Sequence, residues 1–308
     1  MRRLLKDIIL FIKENFSLKL YLSVLIITGF LIFVEYYWQI YDRMSVKYGF
    51  NNLIYLINFV MFSLAYYFVC LLLKFYNKTE VKLNLEFWLK SLAGLLILST
   101  YISYYGHYGV NVKLSYPEIY YYYYSAENLS GIITLLIPVY LIYRIFDKNK
   151  NVPFYGLSFK NFDFRLALIL SLISILISFA GSKIGSVSEY YPILNRTAYK
   201  SFSTVVGIRP FISAVFFESA YLFDFVMIEL FFRGLMIFGF VKLLGKNAIL
   251  PVASLYAVIH FGKPLPETIS SFFGAYFLGI IAYSQKNIGI GIVLHCVLAL
   301  AMEIFTIF

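Results

Sequence analysis

Apolar residues run in long blocks broken by short polar stretches, and they do not alternate with the period of two that half-buried strands require. The blocks fall at about 20–40, 52–73, 86–105, 129–146, 166–182, 211–241, 248–261, 267–284 and 289–308. Most match the roughly 20 apolar residues that carry a helix across a bilayer. The pattern predicts an all-α, polytopic membrane helix bundle of about nine transmembrane helices. The shortest block, 248–261, is the least like a full crossing, and an odd number of crossings places the termini on opposite sides.

Charge refines this picture. Lys and Arg gather on alternate connections: Arg2 to Lys19, Lys74 to Lys90, Arg144 to Arg165, and Lys242, Lys246 and Lys286. Fewer lie on the others, among them Arg43, Lys113, Arg196 and Lys263. The positive-inside rule then predicts a cytoplasmic N-terminus. The chain is 61% hydrophobic and 14% charged, against about a quarter charged in a soluble domain. Its net charge of +10 is spread between apolar blocks without the basic stripe of a nucleic-acid binder, so nucleic acid is not an expected partner. Cys70 and Cys296 each sit inside an apolar block, which argues against a disulfide framework or a CxxC metal site. The opening "MRRLLKDIILFIKENFSLK" is interrupted by acids and lacks a small-residue cleavage site. It reads as an amphipathic lead-in, and a removable signal is not expected.

Two connections stand out. "HYGVNVKLSYPEIYYYYYSAENLS" carries a tyrosine run suited to the membrane interface. "DKNKNVPFYGLSFKNFDFR" divides an N-terminal transmembrane region of about four spans, 1–147, from a C-terminal core, 160–308, that holds the remaining five.

The chemistry is concentrated in that core. Ionisable side chains within a membrane cost a few kcal/mol each on insertion scales and so pair or face a cavity. Spans six to nine contain Glu218, Asp224, Glu229, Arg233, His260, His295 and Glu303, with Glu267 at the mouth of the eighth, whereas the first four spans offer mainly Glu35. In "FVMIELFFRGLMIF", Glu229 and Arg233 lie four residues apart on one helix face. His260 lies where Gly262, Pro264 and Pro266 break a helix, which a membrane tolerates only against protein or a cavity. His295 sits in the last span. Three chemistries suit this set. A carboxylate and imidazole activate water, with a second imidazole stabilising an oxyanion. Alternatively Glu229, His260 and His295 hold a catalytic zinc, or the groups relay protons in a transporter. The transporter reading is weakened because no repeat relates the two halves. An ion pair that only locks helix packing accounts for Glu229 and Arg233 equally well.

The order of motifs resembles the C-a-a-X protease and bacteriocin-processing family of membrane proteins, also called the abortive-infection family. That family carries Glu-Glu-x-x-x-Arg, Phe-x-x-x-His and His-x-x-x-Asn motifs on successive helices; here "IELFFR", "YAVIH" and "HCVLA" stand in the same order. The resemblance covers about residues 160–308. It implies an intramembrane endopeptidase acting on a membrane-bound peptide or protein, with membrane lipid as its surroundings, in a bacterial cytoplasmic membrane. By this resemblance Glu229, the second acid of its pair, orients water or a metal, and Arg233 holds it ionised. His260 is the base or ligand, and His295 serves the oxyanion or metal. Both a zinc mechanism and a metal-independent one are open.

Three positions depart from the family pattern. Tyr256 replaces Phe, Ile228 stands where the first Glu belongs, and Ala299 stands where Asn belongs. Ile228 cannot take a proton, and Glu229 points about 100° away from it around the helix. Glu267 is a candidate replacement acid. Glu303 is a second, although it is displaced by about 80° from the face of His295. These departures support an alternative reading, a catalytically silent membrane scaffold or immunity-type binding protein.

Overall fold

The computed structural model describes residues 2–48, 51–77, 81–105, 113–148, 153–158 and 162–307. Residues 106–112 of the tyrosine-rich connection lie outside the described residues, as do 149–152 and 159–161 of the polar one and the basic residue Lys78.

Every regular element among the described residues is helical. The amphipathic α1 (Arg2–Asn15) leads to α2 (Leu18–Trp38), which stops at Gln39 in left-handed backbone (φ 51°) and restarts as α3 (Ile40–Tyr48). Next come α4 (Leu53–Tyr76), α5 (Leu85–Ser103) and α6 (Tyr116–Leu129). The last continues through π-helical turns at Ile132–Leu136 and Tyr143–Asp147 that flank α7 (Ile137–Ile142). The C-terminal portion opens with α8 (Phe164–Gly181), α9 (Gly185–Tyr190) and α10 (Tyr199–Val206). There α11 (Pro210–Glu229) runs directly into a π-helical segment, Leu230–Phe238. Four further helices complete the chain: α12 (Val241–Leu244), α13 (Ile249–Val258), α14 (Leu265–Gln285) and α15 (Gly289–Ile307). Local chemistry fixes several starts. Asn84 and Asp163 cap α5 and α8 by accepting the Phe87 and Leu166 amides at 3.0 and 2.9 Å, and Pro210 begins α11 where no amide donor is needed.

Among the described residues seven helices are long and apolar enough to cross a membrane, against the nine expected. The helix starting at Pro210 carries Glu218, Asp224 and Glu229 within one stretch. The ten residues of α13 rise only about 15 Å, half of a hydrocarbon core of about 30 Å. The π segment that follows α11 and the helix α13 are nonetheless the most enclosed. Leu230 to Ile237 and all of α13 are buried, with α2, α4, α5 and α14 packed around them. Close approach is built into α14, where a Cβ at Gly279 would lie 2.8 Å from Ile249 and 3.1 Å from Ile237. The resulting core draws side chains from both 1–147 and 160–308 without a break.

Three features differ from their sequence appearance. The tyrosine run is helical, and Tyr121 is buried; its ring stacks on Phe202 at 4.0 Å and its hydroxyl donates to the Ser213 carbonyl. The polar connection is docked at Tyr155, whose Cβ lies 3.0 Å from where a Cβ on Gly234 would stand and whose hydroxyl donates to Asp147 at 2.6 Å. Lys90, grouped above with the loop charges, is fully buried in α5, pairs with Asp147 and donates to the Gly239 carbonyl. It ties three elements together.

Removing one partner of a buried ion pair leaves the other charge desolvated. Lys90→Met is therefore expected to destabilise the protein by about 3–5 kcal/mol in reversible detergent unfolding. Lys90→Met with Asp147→Leu should recover much of that loss, and a neutral single variant would refute the structural role of the pair.

Candidate active site

The site is assembled where α11 passes into its π segment. A π turn widens the helix and is frequent at functional positions; this one begins at the residue after Glu229. Glu229 and Arg233 are both 0% exposed. Arg233 Nη1 donates to Glu229 Oε1 at 2.9 Å, and the guanidinium lies over the Tyr256 ring, 4.8 Å from its centroid. The expected ion pair is formed in full burial, where neither charge is tolerable without the other.

A second helix completes the carboxylate's surroundings. His295 of α15 places Nδ1 3.0 Å from the same Glu229 Oε1, while Phe225 stacks on its ring at 4.5 Å. Glu229 Oε2 has no hydrogen-bond partner among the described residues and faces Gly291, one turn before His295. A Cβ at position 291 would lie 2.4 Å from that oxygen, so a side chain here would have to displace the carboxylate.

α13 contributes the third wall. The Tyr256 hydroxyl lies 3.0 Å from His295 Nε2, and the Tyr256 carbonyl lies 2.7 Å from His260 Nδ1. A carbonyl only accepts, so His260 Nδ1 carries the hydrogen and its Nε2 keeps a lone pair. That Nε2 makes no hydrogen bond among the described residues. The turn after His260 is shaped by Gly262 at φ 85°, and Thr268 pins it by donating to the His260 carbonyl at 2.8 Å. Tyr36 of α2 donates to the Lys263 carbonyl at 2.6 Å, so the N-terminal region supports the same turn.

Glu229, Arg233, His260 and His295 thus form one connected set, joined through Tyr256. Glu267 belongs to a neighbouring set. It accepts from Lys263 at 2.8 Å and from the Tyr191 hydroxyl at 3.1 Å. As a replacement acid it is engaged by a cation, although His260 is within its electrostatic range. Glu303 is not available either, because it accepts the backbone amides of Ile193 and Leu194 at 2.7 and 3.0 Å. Asp224 accepts the Tyr101 hydroxyl at 2.5 Å from α5, and Ile228 packs half-buried against the apolar core.

Zinc does not fit this arrangement. Among the described residues no three His, Cys, Asp or Glu side chains are grouped as metal ligands. Glu229 Oε1 is taken by Arg233 and His295, and both His295 nitrogens are engaged. Glu229 Oε2 and His260 Nε2 stay open, but His295 has no free nitrogen with which to complete the expected set of Glu229, His260 and His295.

Sequence reading treated Tyr256 only as a ring in place of Phe, and it passed over Gly291 and Phe225. The hydroxyl that distinguishes Tyr from Phe was the available signal; the roles of Gly291 and Phe225 depend on contacts between α11 and α15, which no local pattern shows.

Comparison with known proteins converges on the same helices. Residues 210–301 match the family described as type II CAAX prenyl endopeptidase, Rce1-like. The match contains all three motifs and bears out the resemblance drawn from them. No curated protein and no solved structure matches the chain.

Because Glu229 is clamped from two sides, it cannot easily retreat from a larger neighbour. Gly291→Ala is expected to cost about 1–3 kcal/mol of stability, the usual penalty for overpacking, measured by detergent unfolding. Unchanged stability would contradict the close approach of α15 to the carboxylate.

Proposed function

From the match to type II CAAX endopeptidases, we propose that this protein is an intramembrane endopeptidase that hydrolyses a peptide bond of a membrane-associated protein or peptide with activated water. The observation that supports this best is the convergence of an acid, its cationic partner and two imidazoles from α11 with its π segment, α13 and α15 into one largely buried set. Buried polar groups at this density are costly, and perturbed, enclosed titratable clusters mark functional sites.

Each group has a role consistent with its contacts. Arg233 pairs with Glu229 and offsets its charge. The free Oε2 of Glu229 orients the attacking water, and His260 Nε2 is the general base. His260 takes one proton as the water oxygen bonds to the scissile carbonyl carbon. The C–N bond then breaks, and the same proton passes to the departing amine. His295 braces Glu229 from α15; with both nitrogens engaged it is a poorer oxyanion donor than the resemblance implies. We propose that the protein is a multi-pass component of a cytoplasmic membrane, bacterial by the resemblance, with its N-terminus inside by the distribution of Lys and Arg. Lipid and a membrane-bound peptide are then its partners.

A silent binding scaffold is the second reading. It is favoured by Ile228, which packs with the apolar core, and by Ala299, which is buried without a polar side chain. In that case the cluster only fixes the packing of α11 against α15.

Cleavage of a peptide library by protein reconstituted in liposomes separates the two. The wild type is expected to cleave, and Glu229→Gln, His260→Ala and His295→Ala are each expected to lose at least about a hundredfold in rate while remaining helical. Activity surviving in all three variants would overturn the assignment, and a wild type that cleaves nothing while still binding a partner would support the scaffold.

A further inference from the structure

Tyr256 touches every member of the cluster except Glu229, and each contact uses a different part of the residue. Its ring lies under Arg233, its carbonyl meets His260 Nδ1, and its hydroxyl meets His295 Nε2. The positions of the protons follow from what these atoms can do. Among the described residues Glu229 is the only anion paired with Arg233 and His295, and its carboxylate is fully buried. With Arg233 charged, an ionised Glu229 and a neutral His295 leave the trio uncharged, whereas a protonated His295 would leave a net buried cation. An ionised carboxylate only accepts, so His295 Nδ1 carries the hydrogen toward Glu229. Its Nε2 is then an acceptor, and the hydroxyl of Tyr256 is the donor that meets it. That hydroxyl has no other hydrogen-bond acceptor among the described residues.

We infer that Tyr256 is a positioning residue that sets the tautomers of both histidines, holding His295 as the Nδ1–H form through its hydroxyl and His260 as the Nδ1–H form through its carbonyl. The consequence is a division of labour. His295 has no free nitrogen and serves Glu229, while His260 alone presents a lone pair. A phenylalanine at 256, the residue of the family pattern, supplies the ring and the carbonyl but not the donor to His295. In this chain the hydroxyl adds a constraint on α15 from α13, where Ala299 offers no polar group of its own.

Tyr256→Phe isolates the claim, because it keeps the ring over Arg233, the edge contact with Phe232 at 4.8 Å and the carbonyl bond to His260. The tautomer assignment stands on geometry and charge balance, and only its kinetic consequence rests on the proteolytic reading. The chain has three histidines, so nitrogen-15 spectra of histidine-labelled protein in nanodiscs are tractable, with His260→Ala and His295→Ala assigning the signals. Wild-type His295 and His260 should each show a protonated Nδ1 and an unprotonated Nε2. In Tyr256→Phe the His295 Nε2 signal should lose its hydrogen-bonded position while His260 is unchanged. Protonation of His295 at Nε2 in the wild type, or a His295 spectrum unaltered by the substitution, would overturn the inference. In the cleavage assay Tyr256→Phe should lower kcat at least about tenfold with little change in KM, as expected when a histidine loses the partner that orients it. The predicted spectra with an unchanged kcat would overturn the kinetic half. A wild type without activity would instead count against the proteolytic reading, and the spectra would still decide the tautomers.

Discussion

The carboxylate of Glu229 has no contact with solvent, and the requirement that a desolvated charge be neutralised where it stands governs the C-terminal half of the molecule. Arg233 meets that requirement from the same helix, one turn on, and occupies the opening of a π segment to do so. His295 meets it from α15, which can approach only because Gly291 leaves room for the second oxygen. Tyr256 then ties α15 to α13 and carries His260 with it. The register of three helices is thereby coupled to one acid, so the packing constraint and the chemical arrangement are the same set of contacts.

The first half of the chain is not an appendage to this arrangement. Tyr36 of α2 supports the turn that follows His260, and Thr28 of the same helix donates to Ser254 of α13 at 2.9 Å. Tyr101 of α5 donates to Asp224, and Lys90 anchors the residue that follows the π segment. Each contact joins a polar group in the N-terminal region to an element that carries the cluster. The shared apolar core does the rest, since the π segment and α13 have no lipid-facing side and must be enclosed on all of theirs.

Much of this was legible in the order of residues. Long apolar blocks predicted a helical membrane bundle, and the spacing of Glu229 and Arg233 placed them on one face. The irregular backbone after His260 was signalled by Gly262, Pro264 and Pro266. Other features depend on distant partners and were hidden. Lys90 looked like a loop charge because its partner, Asp147, lies far along the chain. The burial of Tyr121 within the tyrosine run was hidden because nothing local reveals that it stacks on Phe202. Seven helices among the described residues have the length and hydropathy of a crossing where nine were expected, and hydropathy does not distinguish a helix bathed in lipid from one enclosed by protein, as α13 is. Zinc was a reasonable expectation from residue types, but a ligand set is a matter of where donor atoms point, and here both nitrogens of His295 are engaged.

The coupling between Glu229 and His295 tests the central claim most directly, because it links two helices through one hydrogen bond at 3.0 Å. A double-mutant cycle of Glu229→Gln and His295→Asn, measured by reversible unfolding in mild detergent, isolates that link. Coupling of at least about 1 kcal/mol is predicted for a buried contact of this kind. Additivity within about 0.3–0.5 kcal/mol, the behaviour of independent sites, would contradict the account.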